Sequence, residues 1–152
     1  MHTFESWLAE LARRKIDFIL VGGLAVGMCG FSRATIVMDI LVSTEKDNLE
    51  GLLEALGNFG EGSGAELTEE DFRPEEGCIR ILEDFPLDIF TRMSGYSYDD
   101  LLPYANSRKL ENDEIKHLSA EGLIMLKKSS ERLKDRLDCE ALGRILDEEK
   151  DK

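Results

Sequence analysis

Scarcity narrows the reading of these 152 residues first. Cysteine appears three times, at Cys29, Cys78 and Cys139. The three lie far apart, form no Cys-x-x-Cys pair and are odd in number, which argues against a disulfide framework. Cys29 and Cys78 sit in apolar segments and read as buried free thiols, a usage that fits a reducing, cytoplasmic location. Only two histidines are present. His2 lies at the terminus and His117 stands alone beside Leu118, so neither a zinc set nor a Ser-His-Asp or Cys-His arrangement is written. Cationic residues are outnumbered, with 19 Lys and Arg against 32 Asp and Glu and a net charge of −13. A duplex DNA or RNA binder needs a basic footprint, which this balance lacks. A small anionic substrate carried by a metal stays compatible, because the metal brings its own charge. No apolar run approaches the ~20 residues of a membrane span, and MHTFESWLAELARRK has no signal-peptide layout. Internal repeats, linkers and low-complexity tracts are absent, and the length suits one domain, residues 1–152, with 145–152 expected to fray.

What is present begins with a helix over Thr3 to Arg14, capped by Thr3, with Phe4, Trp7, Leu8 and Leu11 at helical spacing. FILVGGLAVGMCGFSRATIVMDILVS, Phe18 to Ser43, then reads as the organising unit. Ile16 to Val21 is a strand covered on both faces. Gly22-Gly23 ends it in a sharp turn, Leu24 to Phe31 is a short buried helix, and residues 32–35 turn the chain into a second interior strand, Ile36 to Val42. Ser43 is placed to cap an amphipathic helix over Glu45 to Phe59. Gly60 to Gly77, rich in Gly and acids, reads as a surface loop with at most one helical turn. Cys78 to Thr91 reads as a hairpin turning at Glu83-Asp84. Tyr98 to Ala105 reads as a short helix and Arg108 to Leu118 as short extended pieces. A helix capped by Ser119 and an amphipathic helix over Leu133 to Glu148 complete the chain.

Three constellations carry chemistry. Asp39 and Asp88 are single acids inside apolar strands, IVMDILV and PLDIF. Adjacent strands would bring both carboxylates to one face, as sites that hold Mg²⁺ with substrate phosphates require. Equally, each acid would stand at a strand end, exposed or paired to a Lys or Arg. Gly22-Gly23 presents backbone N–H groups to a phosphate or serves as a tight turn alone. It is neither a P-loop, lacking Gly-Lys-Ser/Thr, nor a Gly-x-Gly-x-x-Gly fingerprint. Lys127, Lys128, Arg132 and Lys134, followed by Asp135 and Asp138, form a local basic set that either clamps phosphate or is a solvated helix end with ion pairs of little individual worth.

The order of these pieces resembles the small bacterial nucleotidyltransferases of the polymerase-beta-like group, which includes abortive-infection and toxin–antitoxin members. VGGLAV and SRAT-x-x-x-DILV resemble the family's start, PLDIFTRMSG its third-carboxylate strand, and LSAEGLIMLKKSSERLKDRLDCEAL its closing segment. The resemblance runs from about Ile16 to Leu142 and implies an α+β nucleotidyltransferase fold. Such a fold has a small mixed sheet packed with helices, and C-terminal helices close a cleft. It implies Asp39 and Asp88 as metal-holding catalytic acids, with Mg²⁺ or Mn²⁺ as cofactor and an NTP as substrate. It implies phosphate contacts from Gly22, Gly23, Arg33, Thr35, Lys127, Arg132 and Lys134. The implied reaction is transfer of an NMP group to a protein or RNA acceptor, and the implied partners are a nucleotide and a protein such as a toxin. One position departs: the first acid of the family's Asp-x-Asp pair falls on Val37, which cannot ligate a metal. The alternative is therefore a catalytically degenerate relative, a nucleotide- or protein-binding module in a toxin–antitoxin or phage-defence system.

Overall fold

The computed structural model describes residues 3–30, 35–59, 62, 64–110, 112–128 and 133–150. The first helix, α1 (Phe4–Arg13), starts where expected, because Thr3 and Ser6 form a capping box in which each side chain bonds the other's backbone N–H. Strand β1 (Phe18–Val21) is buried at every residue. Two residues separate the end of α1 from the expected strand start at Ile16, and Lys15 takes a left-handed φ of 60° as the chain reverses. Helix α2 (Gly22–Met28) follows with no intervening turn, so the glycine pair opens the helix instead of preceding it. Strand β2 (Met38–Val42) is shorter than the expected Ile36 start, and Ile36 is one of the most exposed large apolar residues.

Helix α3 (Lys46–Gly57) begins at Glu45, with no side-chain cap. Ser43 does not cap it: its hydroxyl instead accepts the Glu45 N–H at 3.3 Å. The seating of α3 comes from Asn48, a buried side chain that acts as a spare peptide group. Its Oδ1 accepts the Asp17 N–H at 2.7 Å, and its Nδ2 donates to the carbonyls of Asp17 and Ser43 at 3.1 and 2.8 Å. One amide thus bonds the backbone groups flanking β1 and β2, adding to the Ser43 N–H that donates to the Asp17 carbonyl at 3.1 Å.

Strands β3 (Cys78–Leu82) and β4 (Pro86–Phe90) form the expected hairpin, and a minor hairpin of β5 (Arg92–Met93) and β6 (Tyr96–Ser97) follows. The helix expected over Tyr98 to Ala105 is a single turn, α4 (Tyr98–Leu101), continued by a 3₁₀ turn with Pro103 at its start. The extended pieces expected near Arg108 to Leu118 are a regular hairpin, β7 (Ala105–Leu110) and β8 (Asp113–Leu118). Helix α5 (Ala120–Lys127) is capped by the Ser119 hydroxyl, which accepts the Gly122 N–H. The last helix, α6 (Leu133–Lys150), continues through the acidic tail expected to fray, with Leu146 packed against the core.

Six strands form one mixed sheet in the order β3-β4-β2-β1-β8-β7. The β4–β2 and β1–β8 pairs are parallel and the other three are antiparallel, so the molecule is α+β with six α-helices among the described residues. Ile79 and Ile81, Leu87 and Ile89, and Met38 and Ile40 are in register on one sheet face. They share a core with Leu8 and Leu11 of α1 and Leu49, Leu52 and Leu56 of α3. An aromatic chain closes this side: Trp7 stacks on Phe59 at 4.5 Å, Phe59 meets Phe85 at 5.5 Å, and Phe85 takes Phe4 edge-on at 4.7 Å. Alternation then sends the intervening residues of β2, β3 and β4 to the opposite face, and these include the charged ones, Asp39, Arg80 and Asp88. No helix among the described residues is long and apolar enough to cross a membrane.

Candidate functional site

The register of the sheet brings together acids that are remote in sequence. Asp39 of β2 is the direct partner of Asp88 on β4, so the two carboxylates stand side by side on one face of a parallel pair. Asp39 is also opposite Val21, the residue before Gly22, which carries the start of α2 over the same place. A Cβ built on Gly22 would lie 2.8 Å from Asp39 Cγ and 2.9 Å from its Cβ, and φ at Gly22 is +70°. Only glycine lets the main chain meet the carboxylate this closely in a left-handed conformation. A side chain at position 22 would collide with Asp39.

Asp88 is buried to 5% exposure and is held by a residue that sequence reasoning passed over. Arg80, its partner on β3, donates from Nε to Oδ1 at 2.7 Å and from Nη2 to Oδ2 at 2.8 Å. This is the two-pronged guanidinium–carboxylate pair, charge-assisted and geometrically specific. The Arg80 side chain stays 53% exposed, so the cation lies at the solvent edge of the acid pair. Its own pKa is raised further above the ordinary arginine value, first by the hydrogen bond to Asp88 and then by the charges of Asp88 and, less, Asp39. Cys78, two residues before Arg80, is exposed and not the buried thiol expected. Partial burial and the nearby Asp88 push its pKa up.

The sequence reading has Asp39 and Asp88 holding a metal, with Val37 in the place of a further acid. Val37 brings no side-chain oxygen two residues before Asp39, and both oxygens of Asp88 accept from Arg80. Among the described residues no group of three His, Cys, Asp or Glu side chains is placed to hold a metal ion.

The other expected phosphate ligands divide differently. Gly23 is buried in the first turn of α2, and the Thr35 hydroxyl donates to the Val37 carbonyl at 3.2 Å. Arg33, Arg132 and the side chain of Lys134 lie outside the described residues. Lys127 is neither a free clamp nor part of a solvated helix end. Its ammonium, 14% exposed, lies 3.0 Å from Asp135 Oδ1 and 3.3 Å from Asp138 Oδ2, and Asp138 is 1% exposed. It joins α5 to α6 inside the protein.

His117 faces a separate cleft of about 480 Å³, lined also by Cys29, Arg108, Ser119 and Glu149. The ring Nδ1 lies 3.2 Å from the Leu118 carbonyl, so Nδ1–H donates. Burial lowers its pKa below 6.5 and the nearby Arg108 lowers it further, against the opposing effect of the Leu118 carbonyl. Burial likewise raises the Cys29 thiol, with Glu149 adding to the shift, so this Cys–His neighbourhood holds no activated thiolate. A histidine depressed in the folded chain binds its proton more readily when unfolded. Its stabilising contribution is therefore complete above its ordinary value and is lost as pH falls through the lowered one. Melting temperature is expected to drop as pH goes from about 7.5 to about 5.5, with a limiting slope near 1.4 kcal/mol per pH unit for the one group. A His117→Gln variant should flatten that part of the profile. An unchanged profile in the variant would remove His117 as its source.

No family model and no curated protein matches the chain.

Proposed function

We propose that the chain is a nucleotidyltransferase-like protein that binds a nucleotide beside Asp39 and Asp88 and has lost efficient nucleotidyl transfer. The observation that carries this reading is the register of Asp39 against Asp88, with the Gly22 backbone fitted over Asp39. A glycine turn and two acids on one sheet face are the arrangement that the sequence resemblance implies. The same neighbourhood argues against transfer. In-line phosphoryl transfer depends on metals that neutralise developing charge, and the acid that would hold one of them is Val37.

The second reading is slow Mg²⁺- or Mn²⁺-dependent transfer of an NMP group to a protein or RNA acceptor. It is favoured by the same pair of in-register carboxylates. The two separate in one experiment: the full chain is incubated with labelled NTPs, a divalent ion and candidate acceptors, with equilibrium dialysis of the same NTPs in parallel. Saturable binding without label transfer is the expected result. Label transfer abolished by Asp39→Asn would establish the second reading. Absence of both binding and transfer would sink both.

A further inference from the structure

Arg80 sits where an acid pair of this kind ordinarily meets its cation. Asp39 and Asp88 are neighbours on adjacent parallel strands, and Arg80 is the next residue in the same cross-strand row, on the outer strand of the sheet. We propose that Arg80 is a built-in counter-ion of the Asp39–Asp88 pair, occupying the place of a soluble divalent cation and excluding it.

Three observations carry the inference. First, the fork takes both oxygens of Asp88, at 2.7 and 2.8 Å. A divalent ion binds carboxylate oxygen at roughly 2.0–2.6 Å, so it reaches Asp88 either by displacing the guanidinium or by sharing the carboxylate with a fixed positive charge that repels it. Second, Asp88 is 5% exposed, so its carboxylate meets little solvent while it is paired to Arg80. A buried carboxylate requires a partner, and the chain supplies its own. Third, the guanidinium remains charged at every accessible pH, and its charge is further stabilised by the two acids. A metal competing for the pair therefore never meets a neutral Arg80. The half-exposed side chain is anchored through Asp88, and its removal leaves the strand backbone of β3 paired to β4 as before.

The inference rests on the acid pair of the proposed site but not on nucleotide binding, and its test contains no nucleotide. Mn²⁺ is titrated into the full chain and free Mn²⁺ is read by electron paramagnetic resonance, with circular dichroism and melting curves recorded for each variant. Wild type is expected to bind Mn²⁺ weakly. Arg80→Gln is expected to take up one Mn²⁺ at least roughly tenfold more tightly, the equivalent of the charge-assisted bonds that no longer compete. Arg80→Gln/Asp39→Asn should fall back to the wild-type level, and Arg80→Lys, which keeps the charge but not the fork, should lie between. Equal Mn²⁺ affinity in wild type and Arg80→Gln would overturn the proposal. So would tight binding to Arg80→Gln that persists after Asp39→Asn. Tight binding to wild type that is lost in Asp39→Asn would overturn it without reference to any Arg80 variant. A nucleotide that fails to bind wild type would count against the functional reading and leave these metal results intact.

Discussion

Lys127→Met is expected to cost about 3–5 kcal/mol of folding stability, because it removes a cation paired with two buried acids. For a domain of this size that is a fall of roughly 10 °C in melting temperature. The Lys127 ammonium lies within 3.3 Å of both Asp135 and Asp138, and neither acid is free to turn to water, at 8% and 1% exposure. The cluster is also a polar contact between α5 and α6. The expectation separates two roles for Lys127. A phosphate clamp would lower nucleotide affinity and leave the melting curve near that of wild type. A structural cation lowers the melting curve whether or not nucleotide is present. The apolar replacement Lys127→Met/Asp135→Asn/Asp138→Leu should recover most of the loss, since removing a buried ionic group as a whole costs far less than orphaning part of it. A Lys127→Met protein melting within about 2 °C of wild type would refute the structural assignment.

The second large effect is at Gly22. Gly22→Ala forces a side chain into a left-handed conformation, φ +70°, worth about 1–2 kcal/mol alone. It also drives Cβ into the Asp39 side chain, whose Cγ and Cβ lie 2.8 and 2.9 Å from the ideal position. Together these should destabilise the protein by about 3 kcal/mol and displace Asp39 from its register with Asp88. Urea unfolding of Gly22→Ala, Asp39→Gly and the double variant measures the two parts. The double should cost less than the sum of the singles by about 1 kcal/mol or more, because Asp39→Gly removes the collision but not the backbone strain. Strict additivity would show that Asp39 does not press on Gly22.

These expectations show where the sequence was readable. Long apolar runs around Phe18 and Ile40 announce central strands, and the order strand, Gly-Gly, helix, strand was legible without any partner. The position of Asp39 beside Asp88 was not legible in either strand by itself, since parallel pairing is set by the whole sheet. Arg80 was within reach. A hairpin turning at Glu83-Asp84 with Leu82 opposite Pro86 places Arg80 opposite Asp88, and alternation with Ile79 and Ile81 sends Arg80 to the face that carries Asp88. The β7–β8 hairpin was less visible because most of its residues are polar and solvent-facing, and edge pairing leaves little hydrophobic period. The acidic end of α6 reads as a frayed tail until Leu146 is seen packed on the core. Lys127 and its two acids lie on different helices, and sequence spacing does not reveal that helix packing removes all three from water.

The topology also gives the acid pair an order of assembly. Arg80 and Asp88 belong to one hairpin and lie eight positions apart, whereas Asp39 joins them from a strand on the far side of a long connection. Closing the short loop costs less chain entropy than closing the long one. Any partial opening that slides β4 away from β2 parts the two acids and leaves the hairpin whole. Asp88 then keeps its guanidinium while Asp39 departs, and the pair comes together again only after one of its members is already neutralised. In this order of assembly Asp39 meets an Asp88 that already carries its guanidinium.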